Sequence, residues 1–526
     1  MNHNKTPLQI EKSLSVARMR GNGNRLATAL ADESFPQSDK VTKSQLADFE
    51  EQIEGKVVFP WSDGYERDRK DFNDVYPAYP LAIVYVSCYQ DIQLCLRFST
   101  ENKIWAVCRS GGHSLAGYSV CDGIIIDMSE MQSVHIDAKN KIAIIDSGTT
   151  WGRIYKKVEF YNLHIPGGGC PTVAIAGFMQ GGGYSLTSRN FGINCDTVLE
   201  VTVMLADGKI VVANSDQNQD LYWAVRGGTG NNFGVLLTVK YQLFELKNMF
   251  GKQISWSFQD SPDNAALALY TIQEIFLKGD QYPNLGIETI IATDFSNPYN
   301  WIKKVYFCGG WIGAGEDFDK AVAPLLAIPG AQVNLSEEGP YSKINNDLLE
   351  GVPDLPMDVK AYSRSAYIEK LLSLDDWKNI LNYFKNNAPN QYTMVDLEGY
   401  GGKINTLPEG TNAFIHRNVT MDFYCDGFFN EETNDQHKNE EFIDSFYKFM
   451  ETYTNSHSYQ NYPYRNQSDF RWAYFGNYYN QLCEIKKRYD PHNFFHYQQS
   501  IGEPFTGEKA KEQKIIFTQN NPIKYE

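Results

Sequence analysis

Two glycine-rich stretches of this chain carry side chains that can do chemistry. Cys108-Arg-Ser-Gly-Gly-His113-Ser-Leu-Ala-Gly-Tyr-Ser119 is a run of small residues between apolar segments. Its backbone N–H groups can approach an anionic group closely, with Arg109 adding positive charge, so it reads as a diphosphate cradle. Gly167-Gly-Gly-Cys170-Pro-Thr-Val-Ala-Ile-Ala-Gly-Phe-Met-Gln-Gly-Gly-Gly-Tyr184 sets one thiol beside Pro171 among side chains too small to fill a core. Something bulky is expected to lie against it. Further on, Tyr459-Gln-Asn461-Tyr-Pro reads as a strand-like step, whose alternation puts Tyr459 and Asn461 on one face; Thr420-Met-Asp422-Phe-Tyr424 pairs Asp422 with Tyr424 in the same way. A tyrosine or a carboxylate within hydrogen-bond reach of a substrate hydroxyl can take its proton. His492 and His496 have i,i+4 spacing but follow Asp490-Pro491 and lack a patterned carboxylate partner, so they read as a surface pair and no metal is assigned.

The elements that must position these residues are short. Ile104–Cys108, Gly123–Asp127, Ile142–Asp146, Val201–Leu205 and Ile210–Ala213 read as strands, several closed by Asp-Gly or Ser-Gly turns, with a helical patch over Trp151–Tyr161. That alternation predicts an α+β domain rather than one doubly wound sheet. No G-x-G-x-x-G follows a strand and no G-x-x-x-x-G-K-[ST] occurs, which disfavours a nicotinamide Rossmann enzyme and a P-loop NTPase. Beyond residue 245 the glycines thin out. Amphipathic stretches over Asn264–Phe276 and Leu374–Asn386 alternate with strand-like runs at Leu285–Ala292 and Val305–Ile312. Near the C-terminus a helix with Leu482 and Ile485 facing inward is stopped by Asp490-Pro491.

Length and composition bound the rest. The 526 residues predict two domains, and Lys+Arg 48 against Asp+Glu 64 gives a net charge of −16 with no basic block, which argues against nucleic acid and anionic membrane as partners. No apolar run is long enough to span a bilayer, and the N-terminus lacks the apolar core of a secretory signal, so the simplest address is cytoplasmic. The 9 cysteines are scattered without C-x-x-C pairs, indicating neither a zinc site nor a disulfide framework.

Taken together, the two glycine stretches resemble those of the FAD-linked oxidases of the vanillyl-alcohol oxidase superfamily, and most closely its berberine-bridge-enzyme-like and oligosaccharide-oxidase branch. Asp220-Leu-Tyr-Trp-Ala-Val-Arg226-Gly-Gly-Thr-Gly-Asn-Asn-Phe-Gly-Val235 and the closing stretch Tyr474–Ile501 resemble two further motifs of that family. Thr229 and Asn231 depart from its usual glycines, Leu115 from an aromatic, and Gln481 from an arginine whose loss is expected to remove a surface ion pair. The resemblance implies a two-domain PCMH-type FAD-binding fold with an antiparallel-sheet substrate domain. The implied boundaries are an N-terminal extension over 1–45, an FAD-binding domain over 46–245, a substrate domain over 246–456, a returning segment over 457–505 and a tail over 506–526.

The same resemblance implies bicovalent FAD, joined at His113 and Cys170. Cofactor contacts are implied at Arg109, Ser110, Gly111, Gly112, Ser114, Gly117, Gly169, Val173, Gly177, Gly182, Gly183, Val235 and Asn477. Tyr459 is the implied general base, assisted by Glu398, with Tyr184 also at the catalytic centre and Asn461, Asp422 and Tyr424 toward substrate. Valine at position 173 leaves more room for dioxygen than leucine, pointing to an oxidase. The expected reaction is oxidation of an alcohol, the anomeric hydroxyl of a mono- or oligosaccharide, by hydride transfer to the flavin, with O2 reduced to H2O2. Two alternatives stay open: a natural-product oxidase or dehydrogenase acting on an alcohol or amine, and a flavin-containing binding protein without turnover. A monomer or homodimer is expected.

Overall fold

The computed structural model describes residues 35–278, 281–297, 299–349, 352, 360–433 and 435–517; the helix expected over 9–19 lies outside them. Short apolar runs form β1 (Lys56–Val58), β2 (Ala82–Tyr85), β3 (Ala106–Arg109) and β4 (Ile124–Asp127), in the order β1-β2-β4-β3. Strands β2 and β3 run parallel to β4, and β1 closes one edge antiparallel. Parallel neighbours need a crossover, and the helix Tyr89–Asn102 supplies it between β2 and β3, burying Ile92, Cys95 and Leu96.

The second sheet is antiparallel: β5 (Val134–Asp137), β6 (Ile142–Asp146), β8 (Val198–Met204), β9 (Ile210–Asn214) and β10 (Val235–Gln242), ordered β5-β6-β10-β8-β9, while β7 (Leu163–His164) pairs with β11 (Phe244–Glu245) outside it. The first glycine-rich stretch leaves the end of β3, and the second lies between β7 and β8. Both therefore hang from the ends of strands whose positions are fixed by burial on the sheet.

The third sheet is seven-stranded and wholly antiparallel, in the order β15-β12-β14-β13-β17-β18-β16. Its strands are β12 (Met249–Ser257), β13 (Leu285–Asp294), β14 (Ile302–Trp311), β15 (Gln332–Gly339), β16 (Lys360–Ile368), β17 (Met394–Gly399) and β18 (Met421–Phe429). Side-chain alternation gives it two different faces. Ile287, Ile291, Val395, Leu397, Phe423 and Cys425 face helices Asp263–Ile272, Gly315–Leu326, Leu374–Asn387 and Gln436–Met450, completing an apolar core. The intervening positions Glu288, Asp396, Glu398, Asp422, Tyr424 and Asp426 occupy the opposite face. This is an α+β fold of two domains, and the polar side of the large sheet roofs the glycine loops.

The chain then returns to the first two sheets. Helix Tyr479–Tyr489 buries Leu482 and Ile485 and ends at Asp490, as the sequence predicts. Lys486, almost wholly buried, donates to the Asp490 carboxylate at 2.8 Å and to the carbonyls of Asn232 and Phe495 at 2.8 and 2.6 Å. It thereby clamps this helix to the loop before β10. Gln481 is not at the surface, contrary to expectation: it is buried, and its Oε1 accepts the backbone N–H groups of Ile516 and Phe517. An uncharged acceptor is what two converging N–H groups require, whereas an arginine offers only donors.

Replacing Lys486 by Met leaves the Asp490 carboxylate buried without its cation, a loss of about 3–5 kcal/mol for a broken buried pair. Urea unfolding followed by tryptophan fluorescence should show a lowered midpoint for K486M and none for K487M, since Lys487 is exposed.

Candidate active site

A cavity of about 510 Å³ lies between the glycine loops and the polar face of the seven-stranded sheet. Residues 108–115 line one wall, Gly168–Cys170 with Val173, Gly177 and Phe178 another, and Thr229–Asn231 with Val235 a third. Gly177 has no atom within 4 Å of where a Cβ would stand, so it opens onto free space, and Gly112 adopts φ +68° to turn the first loop. Thr229 and Asn231 keep positive φ, +66° and +55°, although they are not glycine. The backbone shape is retained at a conformational cost. Asn231 recovers part of it by closing a two-point clamp on Cys108, accepting from its N–H at 2.9 Å and donating to its carbonyl at 3.1 Å.

His113 and Cys170 come together although 57 positions separate them (170 minus 113). The Nε2 of His113 lies 3.0 Å from Thr172 Oγ1, and the same oxygen is 3.3 Å from Cys170 Sγ. The imidazole stacks on Phe72 with centroids 4.9 Å apart and planes at 19°. Burial pushes its pKa down to about 4, so the ring is neutral and keeps a nitrogen lone pair. Cys170 is exposed toward this space, in contrast to Cys95, Cys121 and Cys195, which are buried. Tyr118 adds a buried hydroxyl on the cavity wall with no partner among the described residues. Glycine walls, two nucleophilic side chains on one hydroxyl and an unsatisfied phenol fit a large flat dinucleotide such as FAD.

The opposite wall is built around Tyr459. Its phenolic oxygen receives backbone N–H groups from Gly183 at 2.8 Å and Tyr184 at 3.0 Å, and the Asn461 amide at 3.0 Å. The ring of Tyr462 meets that of Tyr459 edge-on at 4.8 Å, stacks on Tyr424 at 3.9 Å, and donates its hydroxyl to Glu398 at 2.6 Å. Across the strand register Glu398 faces Asp422 on one side and Glu288 on the other, and Glu398 with Asp422, like Glu288 with Asp396, stands close enough to share a proton. Burial raises all four above their ordinary values, and at Asp396, Glu398 and Asp422 repulsion from neighbouring carboxyls adds to it. Asp426, which accepts the Ser363 hydroxyl, is raised by burial to about 7. Burial and the Glu398 charge also raise Tyr459, while its three N–H donors pull the other way.

Several expected roles are corrected by this geometry. Tyr459 and Asn461 share a hydrogen bond because the chain turns there, Tyr462 N–H donating to the Tyr459 carbonyl at 2.9 Å, and not because they alternate along a strand. Arg109 is no free cation for a diphosphate: its guanidinium is paired with buried Asp127 and donates to the carbonyls of Asp68 and Lys70. Tyr184 lines the cavity, but its hydroxyl is committed to the carbonyls of Ile287 and Gly399 at 3.1 and 3.0 Å, so it braces the two domains and is not placed to take a proton. Glu398 engages Tyr462 and not Tyr459. Asp422 is wholly buried behind Glu398 and off the cavity wall. Asn477 is likewise off the wall, its carbonyl accepting from Lys514 N–H. Gly117, Gly182 and Gly183 are needed for close approach of Tyr76, Phe414 and Phe178, and not for the cavity surface. Ser110 and Ser114 stay on the wall, as do Gly111 and Gly169.

The sequence reading missed Tyr462, Thr172, Phe72, Glu288 and Asp396. For the two acids the signal was present: lone carboxylates inside Leu-Gly-Ile-Glu-Thr-Ile-Ile and Met-Val-Asp-Leu-Glu-Gly mark a strand with a polar face turned inward.

A fold of this kind, with glycine loops facing a carboxyl- and tyrosine-rich sheet, defines a flavin-nucleotide-binding oxidoreductase. Residues 80–214 match the family FAD binding domain and residues 458–502 match the family Berberine and berberine like. The chain is 28% identical to YvdP, an FAD-linked oxidoreductase of Bacillus subtilis (strain 168), over 86% of this chain and 98% of that one. It is 26% identical to the carbohydrate oxidase of Microdochium nivale, over 85% and 92%. The solved structure of Physcomitrella patens BBE-like 1 superposes with a TM-score of 0.78 at 24% identity, covering 88% of this chain and 100% of that one. The chain carries an FAD binding domain and a berberine-like domain, and its relatives and structural neighbours are FAD-linked oxidoreductases, carbohydrate oxidases and berberine-bridge-enzyme-like proteins. No helix among the described residues is long and apolar enough to cross a membrane.

An acid whose pKa is raised by folding binds its proton more tightly in the native state, so stability falls as pH climbs from the unfolded to the folded value. For Asp426 that window runs from 3.8 to about 7. Asp426→Asn should flatten the decline of unfolding free energy across it, by an amount on the order of a few kcal/mol. Urea midpoints at pH 4, 5.5 and 7 measure it, and a slope unchanged from wild type would assign the decline to other carboxyls.

Proposed function

We propose that this protein is an oxidase with FAD joined covalently at His113 and Cys170. It oxidises an alcohol, the anomeric hydroxyl of a mono- or oligosaccharide, and reduces O2 to H2O2. When bound, FAD supplies the acceptor for the two electrons removed from the carbon. The observation that carries the reading is the phenolic oxygen of Tyr459, on the cavity wall with three N–H donors converging on it. A neutral phenol oxygen has two lone pairs, so three donors suit a phenolate better than a phenol. Burial opposes that charge, but a Glu398–Asp422 pair that keeps a proton removes part of the opposing field. The Gly183 and Tyr184 amides and Asn461 hold the phenolate charge until Tyr459 receives the substrate hydroxyl's proton, and Tyr462 and Tyr424 offer stacked rings against which a sugar face can lie. The carbohydrate oxidase among its relatives agrees with this substrate class.

A second reading rests on the roof itself. Glu288, Asp396 and Glu398 line the cavity, and a protonated amine would favour their ionised forms, so a cationic amine competes with the sugar.

Mixing the purified protein anaerobically with panels of oligosaccharides and of amines, then admitting air, separates these readings: bleaching of the visible flavin band by a sugar, with peroxide on re-aeration, supports the first. Tyr459→Phe should lower kcat/KM about 10²–10⁴-fold with flavin content unchanged. Val173, half-buried on the cavity wall, sets the space left for dioxygen in this reading, so Val173→Leu should slow peroxide release in air while leaving anaerobic bleaching rates intact.

A further inference from the structure

We propose that Thr172 positions both attachment side chains through its single hydroxyl, accepting the Nε2–H of His113 and donating its own proton to the sulfur of Cys170. The proposal rests on the reading of His113 and Cys170 as flavin anchors. One hydroxyl carries one proton, and Thr172 Oγ1 stands 3.0 Å from Nε2 and 3.3 Å from Sγ. At the imidazole, two arrangements satisfy the contact. If the hydroxyl donates to Nε2, the imidazole proton sits on Nδ1, and neither nitrogen has a free lone pair. If Nε2–H donates to the hydroxyl, Nδ1 is left bare, and the hydroxyl proton is free to stabilise a sulfur anion. No partner for Nδ1 is found among the described residues, and Phe72 stacked on the ring face restrains it from turning over. The second arrangement readies both nucleophiles together.

The chemistry balances through the same hydroxyl. Attachment at His113 forms a bond from Nδ1 to the flavin 8α carbon and breaks one C–H bond there. The imidazole gives up its Nε2 proton to Thr172, and two electrons pass to the flavin. Attachment at Cys170 forms the S–C6 bond and breaks the C6–H bond, again leaving two electrons on the flavin. Each pair is removed by dioxygen, which takes two protons and becomes hydrogen peroxide. Thr172 and Cys170 are exposed, so the hydroxyl can pass protons to solvent.

The test reads attachment and not turnover. Thr172→Val keeps the shape and removes the hydroxyl; Thr172→Ser restores it; Thr172→Ala is a second deletion should the valine fold poorly. Each is made in the full chain and again with His113→Ala or Cys170→Ala, so that each bond is scored alone by intact mass and by flavin retained after acid precipitation. The expected result is that T172V and T172A bind FAD but attach it at least about tenfold more slowly at both positions, and that T172S recovers the wild-type rate. Wild-type rates at both bonds in T172V and T172A would overturn the proposal, as would loss at one bond only. A wild-type protein whose flavin is released by acid would overturn the anchor reading, and this proposal with it.

Discussion

The structure depends on one convergence: three N–H groups on the phenolic oxygen of Tyr459. Two come from the backbone of Gly183 and Tyr184 in the FAD-binding domain, and one from Asn461 in the returning segment. Such an arrangement needs two chain segments nearly in van der Waals contact, and the glycine run is what permits it. A Cβ at Gly181 would stand 1.9 Å from Asn461 Oδ1, at Gly182 2.6 Å from the Phe414 ring, and at Gly183 2.4 Å from the Phe178 ring, with φ of +118° and +87° at the last two. These glycines serve the approach of the Tyr459 turn, so their contribution to the cofactor site is indirect. Ser365 extends the arrangement into the large sheet by accepting the Tyr459 N–H at 2.8 Å.

Opposite that convergence the protein accepts an electrostatic liability. Five carboxyl side chains, Glu288, Asp396, Glu398, Asp422 and Asp426, stand on the inward face of three adjacent strands. Burying ionised carboxylates without cations costs far more than a fold can offset, so these groups retain protons and pair with one another, with Ser363 or with Tyr462. A hydrophobic face would fold more stably. Raised carboxyl pKa values concentrated on one sheet face, three of them on the cavity wall, mark a place where the chain trades stability for proton-holding groups.

Much of this was legible from residue types, and the misreadings share a cause. Strand and helix periodicity located β3, β4, β6, β8 and β9, the helices Asp263–Ile272 and Leu374–Asn387 and the closing helix, because each depends on local burial pattern. The glycine loops marked the cavity for the same reason. Arg109, Gln481, Tyr184 and Glu398 were misassigned because their partners are remote in sequence: Asp127, the tail backbone, the carbonyls of Ile287 and Gly399, and Tyr462. A charge or hydroxyl in a motif shows what it can bond, and only tertiary contact decides what it does bond. Thr172 escaped notice on the same principle, since its importance lies in lying between two residues 57 positions apart.

The division of labour between the two domains explains how one scaffold can serve different substrates. The walls that fit the cofactor come from residues 108–115, 168–178 and 229–235, whereas the roof comes from β13, β17 and β18. They are joined by backbone-directed bonds: Tyr184 to two carbonyls, Asn345 to the Gly169 carbonyl at 2.9 Å and Tyr341 to the Gly167 carbonyl at 3.0 Å. None of these ties uses a side chain on the roof's inward face. Residues at 288, 396, 398 and 424 can therefore change in charge or size without moving His113 or Cys170, provided the strand register holds. Substrate preference is thereby free to vary over a fixed redox centre, which is why fold alone does not name the substrate and the roof side chains must.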